Sequence, residues 1–268
     1  MSGPSISELY VYPVKSFRGI SLSKSLVGAR GLQFDRRWML VDAGGQFMTQ
    51  RSDTRLALFQ TKLESQGILI SREGFGSVFV PFDPLGSPRT VTVWRDSVDA
   101  LQCSDAADAW LSDVLGANCS LVYMPDSTHR QSHLDFTQPG DAVGFADAFQ
   151  VLVIGEASLG DLNSRLEAPL PINRFRGNVI LSGTTPFEED TWPKVEIAGI
   201  PFRAAKKCGR CSVTATNQDT GEVGVEPLRT LAEYRRDGKN VMFGAYYVPE
   251  ATGEIAVGDA VVLQPALK

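Results

Sequence analysis

Two cysteines three positions apart lie among three cations in the segment KKCGRC. Cys208 and Cys211 could form a disulfide, provide half of a zinc site, act as a redox pair, or supply a single sulfur ligand to a metal. Lys206, Lys207 and Arg210 favour the thiolate form of a neighbouring thiol, and the thiolate is the form that binds a soft metal. The chemistry open to these sulfurs therefore depends on the rest of the chain.

The remaining sequence weighs against three of these four interpretations. Cys103 and Cys119 are the only other cysteines, too few for a disulfide scaffold and too isolated to complete a zinc site. A redox pair normally begins a helix, whereas Val213 and Thr214 after Cys211 favour a strand. A single sulfur ligand and a pair of ordinary buried cysteines stay open, and the three cations count against the second.

A second basic segment, NRFRGNVILSG, could bind an anion. Arg174, Arg176 and Asn178 fall at alternate positions, so an extended chain would point all three side chains to one face. Guanidinium groups make planar, paired hydrogen bonds to phosphate, which makes such a face suitable for an anion. A solvated strand face with surface salt bridges is the competing interpretation. Lys15 and Arg36, at the ends of predicted strands, are candidates to join the same site.

Composition limits the class of protein. The 268 residues have an apolar fraction of 43%, enough for a sizeable core, and contain no long uncharged apolar run. A net charge of −5 argues against broad binding to nucleic acid or an anionic membrane. The N-terminus lacks the features of a secretory signal, so we expect a cytoplasmic protein.

Short apolar segments joined by local turns predict a mostly β protein with a few helices, an α+β fold built from mainly antiparallel barrels. Turns between strands are predicted at Ala43-Gly44-Gly45, Ala198-Gly199 and Gly258-Asp259. Helices are predicted between the cap Ser104 and Gly116, over 156–167, and from Pro227 as first helical residue to Gly238.

Two domains are predicted, covering residues 1–116 and 117–268, with the boundary at the end of the first helix. Residues 125–147 are polar, interrupted by Gly and Pro, and lack periodicity. We expect a long loop there, and loops of that length often act as lids.

Taken together, seven segments resemble those of the MOSC-domain proteins, and most closely those of the mitochondrial amidoxime reducing component and its bacterial relatives. In chain order they are YPVKSFRGI, FDRRWMLVD, GEASLGDLNSRLE, RFRGNVILSG, KCGRCSVTATNQDTGE, FGAYYV and GEIAVGDAVVL. The resemblance runs from about Leu9 to Leu263. It implies an N-terminal β-barrel-like domain, a MOSC β-barrel domain, and a molybdenum cofactor (molybdenum-molybdopterin) held between them.

The same resemblance implies roles for individual residues. Cys211 matches the position that provides the sulfur ligand to molybdenum. Relatives have Ser where this chain has Gly209, so only a backbone contact is expected there. Hydroxyl residues of the mammalian proteins are replaced by Ala148 and Phe149. The residues that match cofactor-binding positions are Lys15, Ser16, Arg36, Arg176, Asn178, Gly209, Arg210 and Tyr246.

The implied reaction is the reduction of N-hydroxylated compounds, such as hydroxylamines, amidoximes and hydroxylated bases, to amines or amidines and water. Asp147, His129 and His133 are candidates to deliver protons. No cysteine follows Cys211 and no dinucleotide-binding glycine motif follows a strand, so electrons are expected from a flavoprotein, ferredoxin-like or cytochrome-type partner. The alternatives are a MOSC protein that carries sulfur or delivers cofactor, and a binding module without metal.

Overall fold

A computed structural model of the protein describes residues 3–263 and is dominated by strands. The strands are β1 Ser5–Val11, β2 Ile20–Leu22, β3 Lys24–Gly28, β4 Gly31–Leu32, β5 Trp38–Asp42, β6 Gln60–Glu64, β7 Gly67–Arg72, β8 Gly76–Pro81, β9 Pro88–Val93, β10 Asp96–Gln102, β11 Cys119–Tyr123, β12 Val151–Gly155, β13 Val179–Ser182, β14 Lys194–Ile197, β15 Ile200–Gly209, β16 Arg236–Asp237, β17 Asn240–Pro249, β18 Gly253–Ala256 and β19 Val261–Leu263. The helices are α1 Asp105–Leu115, α2 Glu156–Asn163 and α3 Leu228–Tyr234. Single 3-10 turns cover Thr54–Leu58, Ile172–Phe175, Glu188–Asp190 and Ser212–Ala215.

The strands form four sheets, which confirms the predicted mostly β fold with helices attached. The largest has nine strands in the order β19-β14-β15-β17-β12-β13-β1-β2, with β16 paired to β17. The others are β5-β11-β10-β9, β18-β3-β4 and β6-β7-β8. Only the β12–β13 pair is parallel among the described strands, so nearly all pairing is antiparallel, as expected.

The first strand belongs to the same sheet as strands from the second half of the chain. In β1, Leu9 lies opposite Val179 of β13, and its buried residues join the core of that sheet. The segment that follows β1 therefore starts from the large sheet, which places Lys15 and Ser16 near elements far away in sequence. β11 pairs with β5 and β10. The predicted domain boundary at residue 116 stays a prediction.

α1 begins and ends where its capping signals predict, whereas α2 ends at Asn163 and α3 at Tyr234, short of the predicted ends at residues 167 and 238. The Ser104 hydroxyl accepts a hydrogen bond from the Ala107 amide at 3.1 Å, and Gly116 ends α1 in the left-handed conformation. α3 begins at Leu228, so Pro227 caps the helix instead of being its first residue. No helix within residues 3–263 is long and apolar enough to cross a membrane. The cytoplasmic location stays a prediction.

Two local expectations were wrong. Arg174 and Arg176 do not lie on an extended face with Asn178, because the chain turns over Ile172–Phe175 and Arg176 takes a left-handed conformation with φ 55°. A 3-10 turn, not a strand, follows Cys211, since the backbone amide and hydroxyl of Thr214 both donate to the Cys211 carbonyl, at 3.1 and 2.9 Å. Short-range hydrogen bonds override strand propensity at both places.

One of the three turns predicted between strands is not followed by a regular strand. Ala198 and Gly199 connect β14 and β15 as a hairpin, as predicted. After Gly45 the chain makes only two isolated bridges, from Gln46 to Thr92 and from Phe47 to Val41, instead of a second regular strand. The Gly258 turn links β18 to β19, which pair with other strands and not with each other.

The long loop is confirmed, since residues 124–150 between β11 and β12 contain no helix or strand. The loop is nevertheless held by buried groups. Arg130 donates hydrogen bonds to the carbonyls of Gly144 and Ala146, at 2.9 and 2.7 Å, and pairs with Asp96. The Phe145 amide donates to the Arg36 carbonyl at 2.7 Å. These contacts place the end of the loop beside Arg36, while its role as a lid stays a prediction.

Gly144 is required by this close packing. A Cβ atom at Gly144 would lie 2.7 Å from the Arg36 carbonyl oxygen, so the loop or the Arg36 backbone would have to shift. We expect Gly144→Ala to lower the free energy of unfolding by about 1–3 kcal/mol, as for other overpacked sites. Urea denaturation measures the change.

Gly160→Ala provides the matched control. Gly160 lies in α2, and nothing would contact its added Cβ within 4 Å. This substitution is expected to stabilise the protein by about 0.4–1 kcal/mol, because alanine lowers the conformational entropy of the unfolded chain. Wild-type stability in Gly144→Ala would show that the loop is not packed against Arg36 as described.

Candidate functional site

A cavity of about 290 Å3 opens where the segment after β1, the end of the long loop, the Ile172–Phe175 turn and the end of β15 meet. All nine residues selected from the sequence line it, although they come from five separate parts of the chain. They are Lys15, Ser16, Arg36, Arg176, Asn178, Gly209, Arg210, Cys211 and Tyr246. Their assignment to a cofactor stays a prediction, and their convergence in one cavity is a property of the fold.

The two cysteines of the KKCGRC segment have different environments. Cys208 is 1% exposed and packs in an apolar cluster with Phe175 and Phe243. Cys211 is partly exposed and lines the cavity as the residue that begins the Ser212–Ala215 turn. The interpretation as ordinary buried cysteines therefore applies to Cys208 and not to Cys211.

The Cys211 sulfur takes part in a hydrogen-bonded chain of charged groups. The Arg51 guanidinium donates to Cys211 Sγ at 3.1 Å and to Asp147 Oδ2 at 2.7 Å. The other oxygen of Asp147 accepts from the Lys15 ammonium group, which also donates to the Phe145 carbonyl at 2.8 Å. A donor directed at sulfur stabilises negative charge on it, so this chain suits a thiolate.

A second charged group lies on the other side of the cavity, around Tyr12. The guanidinium groups of Arg36 and Arg176 each lie 4.3 Å from the centre of its ring. The Asp35 carboxylate pairs with Arg36 and accepts from the Tyr12 amide at 2.8 Å. Burial raises the pKa of Asp35, and the adjacent Arg36 cation opposes that shift. The paired carboxylate and the aromatic face together compensate two buried cations.

Asn178 holds the backbone around this group. Its amide oxygen accepts hydrogen bonds from Arg36 Nη1 at 3.0 Å and from the Leu152 amide at 3.1 Å. Its amide nitrogen donates to the Tyr10 carbonyl at 3.1 Å. Asn178 therefore positions Arg36 and two strands, and contributes to a ligand site mainly through that placement.

Backbone strain is concentrated at the cavity. Within residues 3–263, seven residues other than glycine have a positive φ, and four of them line the cavity. These four are Ser16, Arg36, Trp94 and Arg176, with φ of 69°, 47°, 57° and 55°. Such conformations are uncommon for side chains of this size and cluster at binding and catalytic sites.

The cavity is strongly cationic. Seven lining residues carry positive side chains, whereas Asp147 is the only lining carboxylate among the described residues. Burial lowers the pKa of Arg176 to about 10 and also lowers the pKa of Lys15. Arg210 Nε is buried and lacks a hydrogen-bond partner within the described structure. An anionic ligand would relieve the repulsion between these groups, and such a ligand fits the donors present.

The three residues predicted as candidates to deliver protons lie in different places in the structure. Asp147 lines the cavity, whereas His129 borders a different depression next to β9 and β10, and His133 is not among the cavity's lining residues. No cluster of three or more His, Cys, Asp or Glu side chains suited to a metal ion occurs within the described part of the chain. The structure thus brings one of the three candidates to the cavity.

The sequence is similar to that of known proteins over most of its length. Residues 3–118 match the MOSC N-terminal beta barrel domain, and residues 140–262 match the MOSC domain. Mitochondrial amidoxime-reducing component 1 of Homo sapiens is 32% identical over 280 residues, covering 96% of this chain and 82% of the relative. The chain belongs to the MOSC-domain family. The Mus musculus protein of the same name is 34% identical over 281 residues, with the same coverage.

A third relative differs in architecture. Molybdenum cofactor sulfurase of Oryza sativa subsp. japonica is 30% identical over 270 residues, which cover 89% of this MOSC protein but 32% of the relative. Most of that relative therefore lies outside the similarity.

Sequence reasoning missed three residues of the site in this MOSC protein. Arg51 contacts the Cys211 sulfur, Trp94 lines the cavity, and Asp35 compensates Arg36. Asp35 could have been found as the acidic neighbour of a selected arginine. Arg51 and Trp94 follow short strands of the N-terminal region, and no local pattern links them to Cys211.

Asp147 makes the stability of the protein depend on pH. Burial raises the pKa of this carboxyl, but the Lys15 and Arg51 cations outweigh burial and hold the pKa well below its usual range. A carboxyl with a lowered folded pKa stabilises the protein above its unfolded value, about 3.9, and loses that effect as the pH falls further. Because its side chain is 37% exposed, solvent screening limits the effect to about 1 kcal/mol.

We therefore expect wild type to lose about 1 kcal/mol more stability than Asp147→Asn between pH 6 and pH 3. Urea denaturation at both pH values measures this difference. Asp126→Asn, at a carboxylate that is 90% exposed, serves as control and should respond to pH as wild type does. Identical pH responses in wild type and Asp147→Asn would contradict the ion pairs assigned to Asp147.

Proposed function

We propose that this MOSC protein is a molybdenum-cofactor-dependent reductase of N-hydroxylated compounds, which converts hydroxylamines, amidoximes or N-hydroxylated bases to amines or amidines. The observation that carries the proposal is the position of the Cys211 sulfur, partly exposed in a cationic cavity and hydrogen-bonded to Arg51. Similarity to the amidoxime-reducing components over 96% of the chain supports the choice of substrate class.

The donors in the cavity fit molybdopterin, an anionic cofactor with a phosphate group. Arg176, Arg210 and Lys15 supply charged donors, and Ser16 and Gly209 allow hydroxyl and backbone contacts. Arg36 and Asn178 hold the backbone on which Arg176 lies, since Arg36 Nη2 donates to the Arg176 carbonyl at 3.1 Å. Tyr246 lines the same cavity. Cys211 would be the protein ligand to molybdenum.

When bound, the cofactor supplies the two-electron chemistry that no side chain in this cavity can perform. The chain's own residues bind it, orient it and control protons. Arg51 stabilises negative charge on Cys211, and Asp147 keeps Arg51 and Lys15 in place. The low pKa of Asp147 leaves it ionised near neutral pH, so it orients cations and is a poor proton donor. Lys15 Nζ donates to Asp147 and to the Phe145 carbonyl at the cavity wall, and burial lowers its pKa.

We infer that electrons come from a separate flavoprotein, ferredoxin-like or cytochrome-type protein. Lys206 lines the cavity, and its ammonium group lies 4.3 Å from the ring of Phe136, which is 39% exposed. Lys207 is exposed next to it. Exposed cations at the cavity edge favour an acidic partner and a salt-sensitive encounter.

Similarity to molybdenum cofactor sulfurase supports one alternative, a protein in which Cys211 carries sulfur or takes part in cofactor delivery. The two functions differ in what the cavity must retain. A reductase keeps its cofactor through turnover, whereas a carrier releases its cargo.

Activity with a chemical electron donor tests the reductase proposal. Protein made in a cofactor-competent host should contain about one molybdenum per chain and reduce benzamidoxime to benzamidine with reduced viologen, but not with NADPH alone. Cys211→Ser should lose molybdenum-dependent activity, because the sulfur ligand is removed. Benzamidine is quantified by chromatography.

Cys208→Ser is the matched control and should keep a measurable part of the activity, since Cys208, although it borders the cavity, is 1% exposed. Equal loss in both variants would contradict a single ligand. Molybdenum-replete protein that forms no benzamidine with reduced viologen would favour the sulfur-carrier alternative.

Cofactor retention tests the anion site separately. Arg176→Gln removes a charged donor and should weaken cofactor binding about 10-fold or more, as expected for a lost charged hydrogen bond. Arg176→Lys keeps the charge but loses the planar guanidinium group with its paired donors. It should therefore retain an amount of cofactor between those of wild type and Arg176→Gln. Molybdenum per folded chain after gel filtration is the measurement.

Arg165→Gln is the control for this series, because Arg165 forms an exposed ion pair with Asp161 away from the cavity. It should retain cofactor as wild type does. Full occupancy in Arg176→Gln would rule out a role for Arg176 in anion binding.

A further inference from the structure

Trp94 is the most exposed aromatic side chain of the cavity. It is 46% exposed, whereas Phe149 and Phe175, which also line the cavity, are buried. Tyr246 packs against Phe149 with ring centroids 5.1 Å apart, so part of its surface is covered. An exposed indole at a cavity wall offers apolar area to a ligand at little entropic cost.

The backbone of Trp94 adds a second, independent observation. Trp94 and Arg95 form the turn between β9 and β10, in which Val93 pairs with Asp96. Trp94 has φ 57° at the first turn position, where glycine is preferred. A residue other than glycine at this position carries backbone strain, and such strain clusters at binding and catalytic sites.

The surroundings of Trp94 define a platform. The Phe47 ring lies 5.0 Å from the Trp94 ring at 54°, and the Arg51 guanidinium lies 4.9 Å from the Trp94 ring. The same guanidinium donates to Cys211 Sγ. The indole is therefore separated from the sulfur by a single side chain, so a ring resting on it would lie beside the reacting position.

We propose that Trp94, supported by Phe47 and Arg51, forms a stacking platform that binds the planar aromatic part of N-hydroxylated substrates. This inference rests on the proposed reductase function and narrows its substrates to aromatic and heteroaromatic amidoximes and hydroxylamines. Offset stacking on indole contributes beyond the apolar area that it buries, and it does not depend on ligand charge. Aliphatic N-hydroxylated compounds lack this contact and bind less tightly.

Binding without turnover tests the platform. Oxidised, molybdenum-replete protein is titrated with benzamidoxime and with acetamidoxime in the absence of any reductant, and both dissociation constants are measured by calorimetry. Trp94→Ala should raise the dissociation constant for benzamidoxime about 3- to 10-fold, as expected for a lost aromatic pair. The constant for acetamidoxime should change less than about twofold. Trp94→Phe keeps an aromatic face and should stay within about threefold of wild type for benzamidoxime.

Trp110→Phe is the control, because Trp110 lies on α1 against Phe59 and does not line the cavity. It should leave both constants unchanged. If Trp94→Ala weakened the binding of both compounds equally, Trp94 would have a structural role. If neither dissociation constant changed, Trp94 would not contribute to the binding site. The titration measures binding without turnover, so it does not depend on reductase activity. If the reductase proposal failed in the viologen assay, the preference for benzamidoxime over acetamidoxime could still be measured.

Discussion

Repulsion between seven cationic side chains that converge on one cavity is the constraint on which the rest of this structure depends. The protein carries a net charge of −5, yet its carboxylates lie largely elsewhere. Two of them compensate the cavity directly. Asp147 joins Lys15 and Arg51, and Asp35 joins Arg36. Removing either carboxylate would leave a buried or half-buried cation without its partner, which is costly in a protein interior.

The compensation is incomplete, and this has a functional consequence. Burial lowers the pKa of Arg176 and of Lys15, which shows that the folded chain does not fully stabilise their charges. Arg210 Nε has no hydrogen-bond partner within the described structure. A bound anion would supply what these groups lack, so anion binding and folding stability would be thermodynamically linked. The left-handed backbone at Ser16, Arg36 and Arg176 adds strain at the same place.

Cys211 and Cys208 show how one local motif can be divided between two roles. Both line the cavity, but Cys211 is partly exposed, whereas Cys208 is buried in an apolar cluster. Arg210 donates to the buried Cys208 sulfur at 2.7 Å, and Arg51 donates to Cys211. Each sulfur thus has its own cation, and Cys211 is the more exposed of the two.

Sequence reasoning found the residues of the site where they belong to short recognisable segments. The segments around Lys15, Arg36, Arg176 and Cys211 each carry a local pattern, and all of them line the cavity. The extended face expected for Arg174, Arg176 and Asn178 was wrong, because hydrogen bonds within the Ile172–Phe175 turn outweigh strand propensity.

The sequence by itself determined the class of fold, the caps of α1, the long loop and the identity of nine cavity residues, since these depend on local patterns and on recognisable segments. Only the tertiary structure decided which cysteine is exposed in the cavity, that Arg51 contacts the Cys211 sulfur, and that Trp94 lies on the wall. Arg51 and Cys211 are 160 positions apart. A contact between residues so far apart depends on the pairing of β1 with β13 and on the paths of the loops over that sheet. Local propensity carries no information about either.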